Sequence, residues 1–200
     1  MNLSGMTKDF GRQSLAGLRI LLVFTVILGI AYPVAVWGAG QAVRHQANGQ
    51  PVEVNGQIVG SGLLGQNFEG DEWFHSRPSA NDYDSLASAP SNLGPSNADL
   101  IALIEERRAE VAATESVDPA DVPPDAVTAS GSGLDPQISV DYAEIQVARV
   151  ASANGLEPET VRELVDRNTE GRSLGFLGEP GVNVLRLNVD VQAAADRTAG

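Results

Sequence analysis

The chain has 200 residues, no cysteine, two histidines and a net charge of −13. From residue 46 onward it carries nine arginines and no lysine against 25 acidic residues, a net charge of −16. Disulfides, thiolate metal sites and cysteine nucleophiles are excluded, a multi-histidine zinc site is not expected, and such an acidic surface repels nucleic acid and anionic lipid.

Residues 1–19 form a short N-terminal tail with Lys8, Arg12 and Arg19 against Asp9. Ile20 to Val43 then contains no charged residue over 24 positions. As a helix this stretch reaches about 36 Å, enough to cross a hydrocarbon core of about 30 Å. A buried core helix is the poorer reading, because no amphipathic neighbours flank the stretch. A cleaved signal peptide is also poorer, since signal cores run only about 7–15 residues. The basic tail places the N-terminus in the cytoplasm by the positive-inside rule and the acidic remainder outside. Pro33 is tolerated in such a span when neighbouring helices satisfy the freed backbone, and Trp37 suits the outer interface.

Residues 44–192 are expected to form one soluble domain, followed by a tail over 193–200. Pro51 to Val59 predicts a hairpin turning at Asn55-Gly56, a pair suited to the positive φ of a type I′ turn. Gly60-Ser61-Gly62 is a weak nucleotide signal, better explained by close backbone packing. Trp73 to Asn97 is dense in turn formers and reads as a long loop, a feature that is usually functional. Asn97 predicts an N-cap for a helix over 98–108, with Leu100, Ile101, Ile104 and Val111 as its apolar stripe. Val122 to Ser139 is a second polar loop. Asp135-Pro136 is expected to start the next helix, which ends at Asn154-Gly155, and Pro158 starts another carrying Val161, Leu164 and Val165. Val182 to Val191 alternates apolar and polar residues and predicts a strand.

No Walker loop is present. Ser130, in Ala-Ser-Gly-Ser-Gly, lacks both the nucleophile-elbow pattern and a later histidine. Asp82 and Asp84 suit a turn better than an acid–base pair. The residues do not point to an enzyme. They leave open a membrane-anchored solute-binding module or a hydrolase relying on His75.

Five ordered motifs then carry a resemblance: WFHSRPSA (73–80), SNLGPSN (91–97), VTASGSGLDPQIS (127–139), QVARVASANGL (146–156) and GEPGVNVLRLNV (178–189). The chain resembles the KdpC family, the small single-span subunits of a potassium-transporting P-type ATPase. Two positions depart from the family pattern: Ala89-Pro90 stands where Gly-Gly is usual, and Gly181 where a basic residue is common. The expected fold class is α+β, one N-terminal transmembrane helix followed by a compact mixed α+β domain outside the cytoplasm. The resemblance implies a non-catalytic subunit of the plasma membrane, with ion-selecting and ATP-hydrolysing subunits as partners and potassium as the transported ion. It further implies a part in assembly and in raising the ATP affinity of the hydrolysing subunit, with ATP as the associated nucleotide. His75, Arg77, Asn92, Asn97, Ser130, Ser132 and Asp135, in the two polar loops that match the family, are the candidate interaction residues.

Overall fold

The computed structural model describes residues 3–199 and divides into two compact units at Asn48 and Gly49. Met1, Asn2 and Gly200, the ends of the two expected tails, lie outside the described residues.

The first unit is a helical rod. Helix α1 (Leu3–Val26) passes into a π-helical stretch (Ile27–Ala31), then α2 (Tyr32–Gly40), a 3-10 turn (Gln41–Val43) and α3 (Arg44–Ala47). The π-stretch directly precedes Pro33, and the Tyr32 N–H reaches five residues back to the Ile27 carbonyl. A proline ring collides with the carbonyl four residues earlier, so a locally widened helix accommodates it without breaking the rod. Asp9–Ala47 is long and apolar enough to cross a membrane, and Leu21, Phe24, Leu28 and Trp37 all stand more than half exposed within this chain.

The second unit opens with the expected hairpin, β1 (Pro51–Val54) and β2 (Gln57–Ser61), with φ of 52° at Asn55 and 79° at Gly56. A bulge falls between Val52 and Glu53. Residues 62–97 then run through turns and bends, a longer irregular segment than the 73–97 loop read from sequence. Helix α4 (Ala98–Glu115) follows, capped by Asn97, whose Oδ1 accepts from the N–H groups of Asp99 and Leu100. The helix runs seven residues past 108, and Ile101 of the expected stripe is exposed while Ala112 is buried. A 3-10 turn (Pro119–Asp121) and short helix α5 (Pro124–Val127) lead to β3 (Gln137–Ile138).

Asp135-Pro136 does not start the next helix. The Pro136 carbonyl accepts from Val184 N–H at 3.0 Å, a pairing between distant segments that holds this stretch extended. Helix α6 (Val140–Asn154) begins instead behind Ser139, whose hydroxyl accepts from Tyr142 N–H, and it stops at Gly155 with φ 63°. Helix α7 (Pro158–Arg167) buries Val161, Leu164 and Val165 as expected. Strand β4 (Thr169–Glu170) and β5 (Gly181–Asn183) complete a three-stranded antiparallel sheet in the order β3-β5-β4.

The strand expected over 182–191 ends at Asn183. Val184–Ala199 is helix α8, so residues 193–199 are helical and not a separate tail. Val184, Leu187, Asn188, Val191 and Ala194 are all buried, a spacing of three and four that a helix and not a strand brings to one face. Helix α8 packs with α6, α7 and β5, and this contact joins Phe74, Val147, Val150, Leu164 and Leu187 in one core. The helical register has a direct consequence. Asn188→Ala strands two backbone groups of Phe74 and is expected to cost about 2–4 kcal/mol, whereas Val189→Thr, half-buried, costs under about 1 kcal/mol. Denaturant titration of the full-length protein in detergent checks the order, which a strand register would reverse.

Candidate functional site

Trp73, Phe74 and His75 form an irregular segment, Phe74 buried and its neighbours half-buried, whose backbone is paired by side chains. Asn188 of α8 accepts from Phe74 N–H at 2.8 Å and donates to its carbonyl at 3.0 Å. Gln146 of α6 does the same for His75, at 2.7 Å and 3.3 Å. Arg149, one turn along α6, donates to the carbonyls of Asp71 and Trp73 at 2.7 and 2.8 Å. The guanidinium is held in turn by Glu115 of α4 at 3.0 Å, and the two side chains are only 8% and 1% exposed. Gln146 Oε1 also accepts from Arg149 at 2.9 Å.

Two residues beyond this clamp, Arg77 stands at the seam between the two polar loops. It pairs with Asp135 at 2.9 Å and donates to the Thr128 carbonyl. Ser130 N–H donates to the Pro78 carbonyl, Ser79 to the Gly133 carbonyl and Ser88 to the Ser132 carbonyl. The Ser130 hydroxyl, buried, accepts from the N–H groups of Ser132, Gly133 and Asp135 and contacts the Ser132 hydroxyl at 3.1 Å. Gly65 passes so close that a Cβ there would fall 2.4 Å from the Asp135 carbonyl oxygen, and Gly133 (φ +71°) meets Asn81 in the same way. Close packing also explains Gly60 and Gly62, which lie against Leu185 and Arg186.

Of the seven candidate residues, the fold brings Arg77, Ser130, Ser132 and Asp135 together at this seam. His75 lines the adjoining cavity, its ring bonded to the Gly70 carbonyl. Asn97 is occupied as the cap of α4. Asn92 is exposed at φ 55° with a local contact to Pro90. Gln146, Arg149, Glu115 and Asn188 escaped the sequence reading. A carboxamide interrupting the apolar face of α6 was the available signal for Gln146.

The cavity beside the seam, about 350 Å³, is lined by Phe68, Arg77, Tyr83, Arg107 and Tyr142, with Asp82 and Glu110 also in its wall. Arg77 Nε is buried without a hydrogen-bond partner among the described residues. Arg77 otherwise engages Asp135 and the Thr128 carbonyl, and Arg107 donates from Nη1 to the Val127 carbonyl at 3.3 Å. Two carboxylates oppose an anion. With Asp82 and Glu110 beside the arginines, these residues match a nucleoside triphosphate poorly. Nor do they form a hydrolase centre, since the Ser130 hydroxyl serves backbone N–H groups and the His75 ring serves Gly70.

A family model described as "KdpC: K+-transporting ATPase, c chain" matches residues 14–193. The chain belongs to the KdpC family. It is 55% identical over 186 residues to the potassium-transporting ATPase KdpC subunit of Kineococcus radiotolerans, covering 92% of this chain and 95% of that protein. For the corresponding subunit of Mycobacterium tuberculosis the identity is 51% over 183 residues, with coverage of 89% and 96%. For that of Nitratidesulfovibrio vulgaris it is 48% over 188 residues, with coverage of 92% and 94%. Each KdpC-like motif has a place in the geometry. WFHSRPSA is the clamped segment, SNLGPSN leads to the cap of α4, VTASGSGLDPQIS forms the seam, QVARVASANGL supplies Gln146 and Arg149, and GEPGVNVLRLNV supplies Asn188. Gly181, where a basic residue is common, is buried in β5 against the Gln137 side chain.

Arg149→Met leaves Glu115 buried and unpaired and is expected to cost about 3–5 kcal/mol, much of it recovered in Arg149→Met/Glu115→Leu; thermal denaturation of the single and double variants measures the difference. Burial pushes the phenols of Tyr83 and Tyr142 above the ordinary value of 10.0. From residue 49 onward these are the only tyrosines, and that part of the chain has no lysine or cysteine. Both groups bind their protons more tightly folded than unfolded, so stability is intact below about pH 10 and falls as pH rises above it. Denaturant titrations at pH 9 and pH 11 should show that fall, and Tyr142→Phe should reduce it.

Proposed function

We propose that the chain is an accessory, non-catalytic subunit of an ATP-driven potassium uptake complex. In this reading it crosses the plasma membrane once through the Ile20–Val43 stretch, N-terminus cytoplasmic and acidic unit outside, and joins ion-selecting and ATP-hydrolysing subunits. The observation that carries the reading is the match over residues 14–193, which takes in the apolar helix and the soluble unit together. Lipid and partner helices are the natural cover for a rod exposed along its length.

The role in ATP affinity implied by the resemblance is assigned to contact with the hydrolysing subunit. Neither the carboxylate-flanked guanidiniums of Arg77 and Arg107 nor the lysine-free acidic unit suits direct capture of ATP. The clamp and seam serve that role as a rigid body, holding the loop surface in one shape for docking.

The test is affinity purification of the full-length chain from membranes, followed by ATPase assays. A multi-span subunit and a P-type subunit are expected to co-purify. Omitting this chain should raise the half-saturating ATP concentration several-fold, while a photoreactive ATP analogue labels the hydrolysing subunit. Labelling concentrated on this chain would sink the contact mechanism, and absence of a P-type partner would sink the membership.

A further inference from the structure

Between β4 and β5 the chain leaves the sheet and forms a closed tip over residues 172–178. Ser173 and Leu177 exchange backbone hydrogen bonds of 2.9 Å in both directions. Gly175 N–H donates to the Arg172 carbonyl at 3.0 Å and Phe176 N–H to the Ser173 carbonyl at 3.3 Å. The Arg172 guanidinium bridges to Glu179 across the base. Backbone and ion-pair contacts therefore close this loop without burying its side chains.

Those side chains are apolar and point to solvent. Leu174 is 82% exposed, Phe176 70% and Leu177 50%, three large hydrophobic residues within four consecutive positions. Leu174 also takes φ +55°, a left-handed backbone that bulky residues seldom adopt. Isolated exposed hydrophobes need no explanation, but a contiguous cluster of them on a hydrogen-bonded loop marks a surface that another molecule covers. Strain retained at its centre points the same way.

Charge selects the partner. The net charge of −16 from residue 46 onward opposes approach to an anionic lipid surface. The arginines at the base of the tip, Arg172 and Arg186, are already paired with Glu179 and Glu170. The same charge favours a protein surface with basic residues around an apolar socket. We propose that the 172–178 tip is the plug through which the acidic unit engages a second protein chain of the same transport complex, seating Leu174, Phe176 and Leu177 in an apolar socket with a basic rim. This rests on the family-based reading above. A tip already ordered loses little entropy on docking, and its Phe and Leu side chains supply the anchors.

The test uses the full chain co-assembled with the other subunits. In Leu174→Asn/Phe176→Ser, asparagine suits the left-handed backbone. The melting temperature of the full chain is expected to shift by less than about 2 °C, while the yield of co-purified sister chains falls roughly tenfold, as loss of central anchors predicts. Independently of any folding defect, a photoreactive benzophenone side chain at position 176 should crosslink to a sister chain, whereas one at Leu86, 95% exposed, should not. Unchanged co-purification, crosslinks to lipid, no crosslinks, or equal crosslinking from both positions each overturn the proposal. If the unmodified chain fails to co-purify with a P-type subunit, the family-based function fails as well. If it co-purifies and the tip variants do so equally, only the tip assignment fails.

Discussion

The second unit depends on how the backbone of Trp73, Phe74 and His75 is satisfied. Phe74 is fully buried, and a buried extended segment must find partners for its N–H and carbonyl groups. In a sheet a neighbouring strand supplies them. Here two carboxamides, Asn188 and Gln146, each donate to and accept from one residue, and Arg149 takes the carbonyls on the N-terminal side. Each carboxamide reproduces the paired bonds of a strand neighbour from the side of a helix. This substitution lets irregular chain enter the core, which anchors the run from residue 62 to 97 around one fixed point.

The position of the polar seam follows from that anchor. Arg77 lies two residues beyond His75, so its placement against Asp135 and Thr128 is inherited from the clamp. The Arg77–Asp135 pair is 23% and 32% exposed and contributes modestly to stability by itself. Its importance is in register, since it joins segments 58 positions apart while Ser130, Ser79 and Ser88 complete the seam through backbone groups. The serines that resemble catalytic or ligand-binding groups in the sequence are therefore consumed in holding two loops together.

Local signals were legible where local physics decides. Asn55-Gly56 turns the hairpin, Asn97 caps α4, Gly155 ends α6 and Pro158 begins α7, each through a preference expressed within a few residues. The failures came where distant pairing decides. Asp135-Pro136 looks like a helix start until the Pro136 carbonyl is seen to accept from Val184, 48 positions on. Residues 182–191 fit alternation because Leu185, Leu187, Val189 and Val191 are apolar and the residues between them polar. The helix was hidden by Asn188, which counts as outward-facing by hydropathy but is buried because Phe74 needs it. Of the candidate residues, the motifs found the seam, whereas Gln146 and Arg149 gain their roles only from tertiary contacts.

The two units treat apolar surface differently. In the rod it is continuous, and even its conformational irregularity at Ile27–Ala31 keeps the backbone helical, the condition for residence in hydrocarbon. In the acidic unit apolar residues withdraw into one core around Phe74, Val150 and Leu187, and those left outside fall chiefly at 58–64, at Ile101 and Leu103, and at the 172–178 tip. The 172–178 tip is a departure from that pattern, closed by its own backbone hydrogen bonds and strained at Leu174. A sequence selected only for folding of this chain gains nothing from large apolar groups on such a loop. Polar residues would close it equally well, and asparagine or glycine at 174 would relieve the strain. The tip therefore makes physical sense only with a partner surface, as the uncovered rod makes sense only with lipid and neighbouring helices.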